Sequence, residues 1–190
     1  MRIIDLHPGY EQIVQQVAAM LMEAFRDHWP DAWPDMESAL EEVHESFGED
    51  RLSRVAVDDH GTVLGWVGAI KHNDGRVWEL HPMAVSLAAR RKGIGRALVE
   101  DLEAQVAERG GVTIWLGTDD EDGMTSLGGV DLYPDPLKHL ANIRNLRQHP
   151  FEFYQKLGFI IVGVMPDANG FGKPDIFMAK RVTRGKRAKE

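Results

Sequence analysis

The stretch Arg90-Arg91-Lys92-Gly93-Ile94-Gly95-Arg96 decides how this chain is read. It stands between two segments of different periodicity. Upstream, "VWELHPMAV" from Val77 to Val85 reads as a strand. Downstream, Gly95 to Arg109 reads as a helix, with Leu98, Leu102 and Val106 spaced to bury one face. Two glycines at a strand-to-helix turn let the backbone come close to a ligand and aim several N–H groups at one point. The first helical turn adds unpaired N–H groups and the positive end of the helix dipole. Arg90, Arg91, Lys92 and Arg96 strengthen that field. The combination describes a phosphate site, a pyrophosphate first of all. A tight turn beside a solvated basic surface has the same composition, and the loop alone leaves both readings open. The spacing does not fit the common nucleotide loops. Gly95 is followed by Arg96-Ala97 where a P-loop needs Lys and then Ser or Thr. Leu98 stands where a dinucleotide fingerprint needs its third glycine.

Around this loop the chain has 190 residues, the size of one domain with a real core. Hydrophobic residues make up 43% and charged residues 27%, the balance of a soluble globular protein. No apolar run is long enough to span a bilayer, and the first residues lack a signal-peptide pattern. Cysteine is absent, which excludes disulfides, cysteine-ligated zinc and thiol nucleophiles. A cytoplasmic protein without a membrane partner or a metal is expected. The net charge of -8 argues against a nucleic-acid partner. An acidic protein with one basic loop suits an anionic cofactor held in that loop, and its remaining surface would attract a cationic second substrate. Simple solubility would explain the same sum.

The patterning predicts a strand at Arg2 to Leu6 and a helix at Tyr10 to Phe25, with Ile13, Val17, Met20, Leu21 and Ala24 on one face. A loop follows, "DHWPDAWPD", and then a helix from Met36 to Phe47. Ser53 to Val57 and Thr62 to Lys71 form a hairpin through Asp59-His60-Gly61. Beyond the long helix, Val112 to Gly117 is a short buried strand. The connection from Thr118 to Pro150 opens on the acidic run Asp119-Asp120-Glu121-Asp122 and contains a helix over Pro136 to Leu146. Its aliphatic and aromatic content argues against disorder. Phe159 to Val164 and Asp175 to Val182 are the closing strands. The expected organisation is one domain over residues 1–182, with an insertion at 118–150 and a frayed, basic tail at 183–190.

The string "VSLAARRKGIGRALVEDLEAQ" resembles the acetyl-CoA-binding motif of the GNAT acetyltransferase superfamily, whose signature places Gln or Arg, then Gly, then Gly or Ala where this chain has Arg90, Gly93 and Gly95. A second string, "FEFYQKLGFIIVGV" from Phe151 to Val164, resembles the family's late helix and following strand, with Tyr154 at the place of its catalytic tyrosine. One departure stands out: Arg147 and Pro150 occupy places where the family often has Asn and Ala, which puts one cofactor-arm contact in doubt. The resemblance implies an α+β fold, the GNAT acyl-CoA N-acyltransferase fold. Its central mixed sheet is splayed between the fourth and fifth strands and flanked by helices. It also implies acetyl-CoA held by Met83, Ala84, Val85, Arg90, Arg91, Lys92, Gly93, Ile94, Gly95, Arg96 and Tyr154. A backbone N–H at Ala84 or Val85 would polarise the thioester carbonyl. Homodimers are common in the superfamily, although no segment here marks an interface.

Acetyl transfer to an amine also needs a proton donor and a proton acceptor. Tyr154 is the candidate acid, because a phenol titrating near ~10 keeps its proton at neutral pH. A packing role for the same aromatic ring is the alternative. Glu79 and His81 alternate along the fourth strand and share a face of it, so either is a candidate base, and either is equally a hydrogen-bonding strand residue. Three further strings resemble aminoglycoside 6'-N-acetyltransferases: "WPDAWPD", "WELHPMAV" and "WLGTDDEDGMTSL". That resemblance implies a cationic amine as acceptor. Asp119, Asp120, Glu121 and Asp122 would attract ammonium groups, Glu79 would lie beside them, and Trp29 and Trp33 would stack on sugar rings. Packing between the first two helices would use the same tryptophans. Acetylation of a polyamine, metabolite or protein amine is the second reading, and a non-catalytic acyl-CoA sensor is the third.

Overall fold

Apolar residues recur along three consecutive segments, Arg51–Val57 (β2), Val63–His72 (β3) and Val77–Val85 (β4). They pair antiparallel with β3 in the middle. Arg2–Asp5 (β1) joins the outer edge of β2, with Ile4 opposite Val55. The computed structural model describes residues 1–183. It divides into two units: Met1–Ile114 with the chain from Val182, and Trp115–Arg181.

In the first unit, Glu11–Phe25 (α1) and Met36–Glu45 (α2) cover the antiparallel strands. Val14, Val17, Leu21, Ala39 and Val43 pack with Val55, Val57, Trp66 and Ala84 in one core. Each large aliphatic side chain fully buried there contributes about 1.5–3 kcal/mol. A capping box starts α2: the Asp35 carboxylate accepts from Ser38 N at 2.9 Å, and the Ser38 hydroxyl accepts from Asp35 N at 3.4 Å. Ile94–Glu108 (α3) buries Leu98, Val99, Leu102 and Val106. Gly65 of β3 lies directly beneath α3, where a Cβ would come within 2.9 Å of Leu98 Cδ1 and 3.1 Å of Ile94 Cγ2. Arg54, buried in β2, links three elements, donating to Asp101 of α3 at 2.7 Å and to Asp5 of β1 at 2.5 Å.

Thr113–Asp119 (β5) begins in the first unit. Val112 N and Thr113 N both donate to Arg76 O, just before β4, so the two strands start side by side and run parallel. In the second unit, Asp175–Arg181 (β7) follows β5 in the sheet order, and Ile160–Met165 (β6) pairs antiparallel with β7. The seven strands make a mixed sheet, flanked by helices. Pro136–Leu140 (α4) and Phe151–Lys156 (α5) complete the second unit.

Strand and helix positions follow the sequence patterning to within a few residues at each end. The helix expected over Pro136 to Leu146 stops at Leu140. Beyond it the backbone finds partners across the loop: Ser126 N donates to Arg144 O, and Leu146 N and Arg147 N both donate to Met124 O. Those amides are therefore withdrawn from any continuing helix. The apolar residues of that segment also divide, with Leu127 and Leu132 in the interior and Leu137 69% exposed. Of the basic tail, only Thr183 falls within the described residues.

Candidate active site

The turn between β4 and α3 is built from left-handed backbone. Arg91 has φ 61° and Gly93 φ 85°. At Gly93 a side chain would meet no atom within 4 Å, so glycine is required there by backbone conformation and not by space. Gly93 is the N-cap of α3 and supplies no capping side chain. The first main-chain bond of the helix is Ala97 N to Gly93 O, at 3.0 Å. The amides of Ile94, Gly95 and Arg96 thus lack a helical acceptor and keep the positive dipole end uncovered. The cations divide their work. Arg90 donates to Ala24 O at 3.2 Å and Lys92 to Ala88 O at 2.8 Å, which ties the loop to α1 and to itself. Arg96 makes an exposed 3.5 Å pair with Glu100, worth little energetically.

Along β4, Trp78, Leu80, Pro82 and Ala84 are buried and the alternate residues are not. The register with β3 shifts between Val67 and Ala69, so His81 and Pro82 lie in an irregularity just before Met83. Glu79 Oε2 lies 2.9 Å from His72 Nε2. His81 Nε2 lies 3.9 Å from Glu42 Oε1 of α2, and its ring is 6.4 Å from that of Trp33. Trp33 meets Phe25 edge-on at 4.7 Å. Trp29 packs against Phe25 and His28, with its indole N–H buried and without an acceptor. The first unit therefore brings Trp33, His81 and the unforeseen Glu42 together, and pairs Glu79 with the unforeseen His72.

The acidic run belongs to the second unit and is not a free negative surface. Asp120 is 0% exposed. Its oxygens accept from Met124 N, Thr125 N and the Thr125 hydroxyl, so it closes the turn after β5. The expectation that Asp120 attracts substrate is corrected on that ground: a run of like charges reads as exposed, but this member is buried by the bonds it accepts. Asp119 accepts from Asn169 Nδ2, and Glu121 pairs with Lys173 at 3.5 Å. Asp122 is the exposed member, and its carbonyl accepts from Arg147, one of the two departures from the family pattern.

Tyr154 lies on α5 with its ring against Phe153 and Phe159, 8% exposed. Burial pushes its phenol above the ordinary range, so it holds its proton throughout physiological pH. His149, which sequence reasoning missed, positions the start of this helix. Its Nδ1 accepts from Phe151 N at 3.2 Å, which leaves Nε2 as the donor to Asp119 O at 2.9 Å. Asn145 brackets the same residue, accepting from its N–H and donating to its carbonyl. Burial lowers the His149 pKa, in keeping with this neutral tautomer. Pro150 serves as the N-cap of α5.

The chain thus runs from β4 through a glycine turn without a side-chain cap, flanked by cations, into α3 and then into β5, which is parallel to β4. The profile of the Acetyltransferase (GNAT) family matches residues 14–128, and the chain belongs to that family. It is an acetyltransferase with acetyl-CoA as donor. Among solved structures it is similar to an aminoglycoside 6'-N-acetyltransferase complexed with coenzyme A, with 41% identity over 98% of this chain and 99% of that one and a TM-score of 0.88. It is similar to the same enzyme type from Enterococcus faecium, at 41% identity over 98% and 99% and a TM-score of 0.86. An aminoglycoside 6'-acetyltransferase type Ii follows, at 35% identity over 98% and 100% and a TM-score of 0.74. Comparison with the curated proteins gives no match. Among the described residues no helix is long and apolar enough to cross a membrane.

Proposed function

We propose that this protein acetylates a primary amine of a cationic small molecule, and that the molecule is an aminoglycoside modified at its 6'-amino group. The observation that carries this reading is the 41% identity to an aminoglycoside 6'-N-acetyltransferase over 98% of this chain and 99% of that one. The β4–α3 turn fits the donor's diphosphate. The amides of residues 94–96 lack helical acceptors, Gly93 permits the left-handed turn with open space beside it, and Arg91 adds exposed positive charge. When bound, acetyl-CoA supplies an activated thioester.

The remaining roles belong to this chain. Main-chain amides of Gly93 to Arg96 hold the diphosphate, with the arginines and Lys92 around them. A β4 amide among Met83, Ala84 and Val85 donates to the acyl oxygen. Glu79, with His72 fixing its carboxylate, accepts the proton released by the amine. Tyr154 keeps a proton at its hydroxyl for the leaving sulfur. His81 and Trp33 form the acceptor side. Such an enzyme would confer resistance to the antibiotics it modifies and would act in the cytoplasm.

Thiol release from acetyl-CoA, measured across an amine panel, tests the reading. Turnover with kanamycin-type amines supports it. Turnover confined to polyamines or peptides would move the acceptor to those classes, and tight coenzyme A binding without any turnover would leave a sensor.

A further inference from the structure

A cationic acceptor needs a carboxylate that is not already occupied. The acidic run offers little: Asp120 is closed into its turn, Asp119 accepts from Asn169, and Glu121 pairs with Lys173. Glu79 has His72 at 2.9 Å. Glu42 of α2 differs. Its side chain is only 19% exposed, yet its single ion partner among the described residues is His81, at 3.9 Å. That separation is too long for a hydrogen bond. The Glu42 carboxylate is therefore partly shielded from water and still has acceptor capacity for a donor. Beside it, Phe25 fixes the Trp33 ring edge-on at 4.7 Å, and that ring lies 6.4 Å from His81. A carboxylate, an imidazole and an indole face thus converge from α2, β4 and the loop between α1 and α2.

We propose that Glu42 is a specificity-determining, acceptor-binding residue: its carboxylate receives an ammonium group of the acceptor, beside His81, while a ring of the same molecule lies against Trp33. The chemistry recognised is an amine-bearing ring compound, since an ammonium suits the carboxylate and a saturated ring face suits the indole. This inference rests on the function proposed above. In the sequence Glu42 reads as one more charge on an amphipathic helix, and only the packing of α2 over β4 sets it apart.

Steady-state kinetics of Glu42→Gln with kanamycin provide the test. The isosteric amide should raise the KM for kanamycin about tenfold, as expected for losing one charge-assisted hydrogen bond. Its effect on kcat should be smaller, and the KM for acetyl-CoA should stay where it was. Glu42→Asp should recover part of the loss. Trp33→Ala should weaken kanamycin and spare spermidine, a cation without a ring. A kanamycin KM unchanged in Glu42→Gln, or a KM for acetyl-CoA that rises equally, overturns the proposal. Absence of thiol release by the unaltered protein with every amine would instead bring down the underlying function, and this inference with it.

Discussion

Two charged turns, each at the C-terminal end of a strand, behave in opposite ways. The turn after β4 carries cations and leaves the first amides of α3 without helical acceptors. The turn after β5 carries anions and consumes them internally, with Asp120 bonded to Met124 and Thr125 and Glu121 paired with Lys173. Residue type is equally suggestive in both. What separates an open turn from a closed one is where the backbone finds its partners. Gly93 cannot cap, so the amides stay available. Asp120 can cap, so the turn closes on itself.

That contrast can be broken most severely at Asp120. Asp120→Ala strands two buried amides and a hydroxyl, and should cost about 3 kcal/mol, read as a lower midpoint in denaturant melts. A change well under that figure would mean the turn is held by something else. Tyr154→Phe should reduce kcat about 100-fold while calorimetric coenzyme A affinity is preserved. Unchanged turnover would remove Tyr154 from the chemistry and leave it a packing residue. Gly93→Ala adds a methyl group in open space but penalises the left-handed conformation by about 1–2 kcal/mol. It should raise the KM for acetyl-CoA about tenfold and lower the melting temperature by roughly 2–8 °C.

The smaller effects sharpen the comparison. The lowered pKa of His149 means that the unfolded chain takes up a proton near its ordinary 6.5 while the folded imidazole resists until lower pH. Stability from this group is full above that value and declines as pH falls below it. The melting-temperature gap between the unaltered protein and His149→Gln should therefore narrow on acidification from pH about 7.5 to 5.5. Glu121→Gln, at a partly exposed pair, should change stability by no more than about 0.5 kcal/mol.

Much of the fold was legible because it rests on periodicity. Val77–Val85 emerges from the sequence with the bounds the strand has, and the helix expected from Gly95 begins one residue earlier, at Ile94. The turn between them was legible as a turn, because its glycines stand between a strand pattern and a helix pattern. The insertion was less so. Leu137 and Leu146 look like core residues yet face solvent, since 143–147 pair with 124–126 instead of extending α4. Glu42, His72 and His149 carried no signal, because what makes each of them matter is a partner on another segment of the chain: His81, Glu79 and Asp119. Arg54 was likewise hidden inside a strand whose other residues are mostly apolar.

Gly65 lies outside the β4–α3 turn, yet a Cβ there would come within 2.9 Å of Leu98 Cδ1 and 3.1 Å of Ile94 Cγ2 and Ala84 O, so a larger side chain would press on the first turn of α3. The amides at that turn would then point elsewhere. Under the function proposed above, a position on a neighbouring strand governs donor affinity, and a random mutagenesis screen for enzymes starved of acetyl donor should recover Gly65 replacements alongside those in the loop itself.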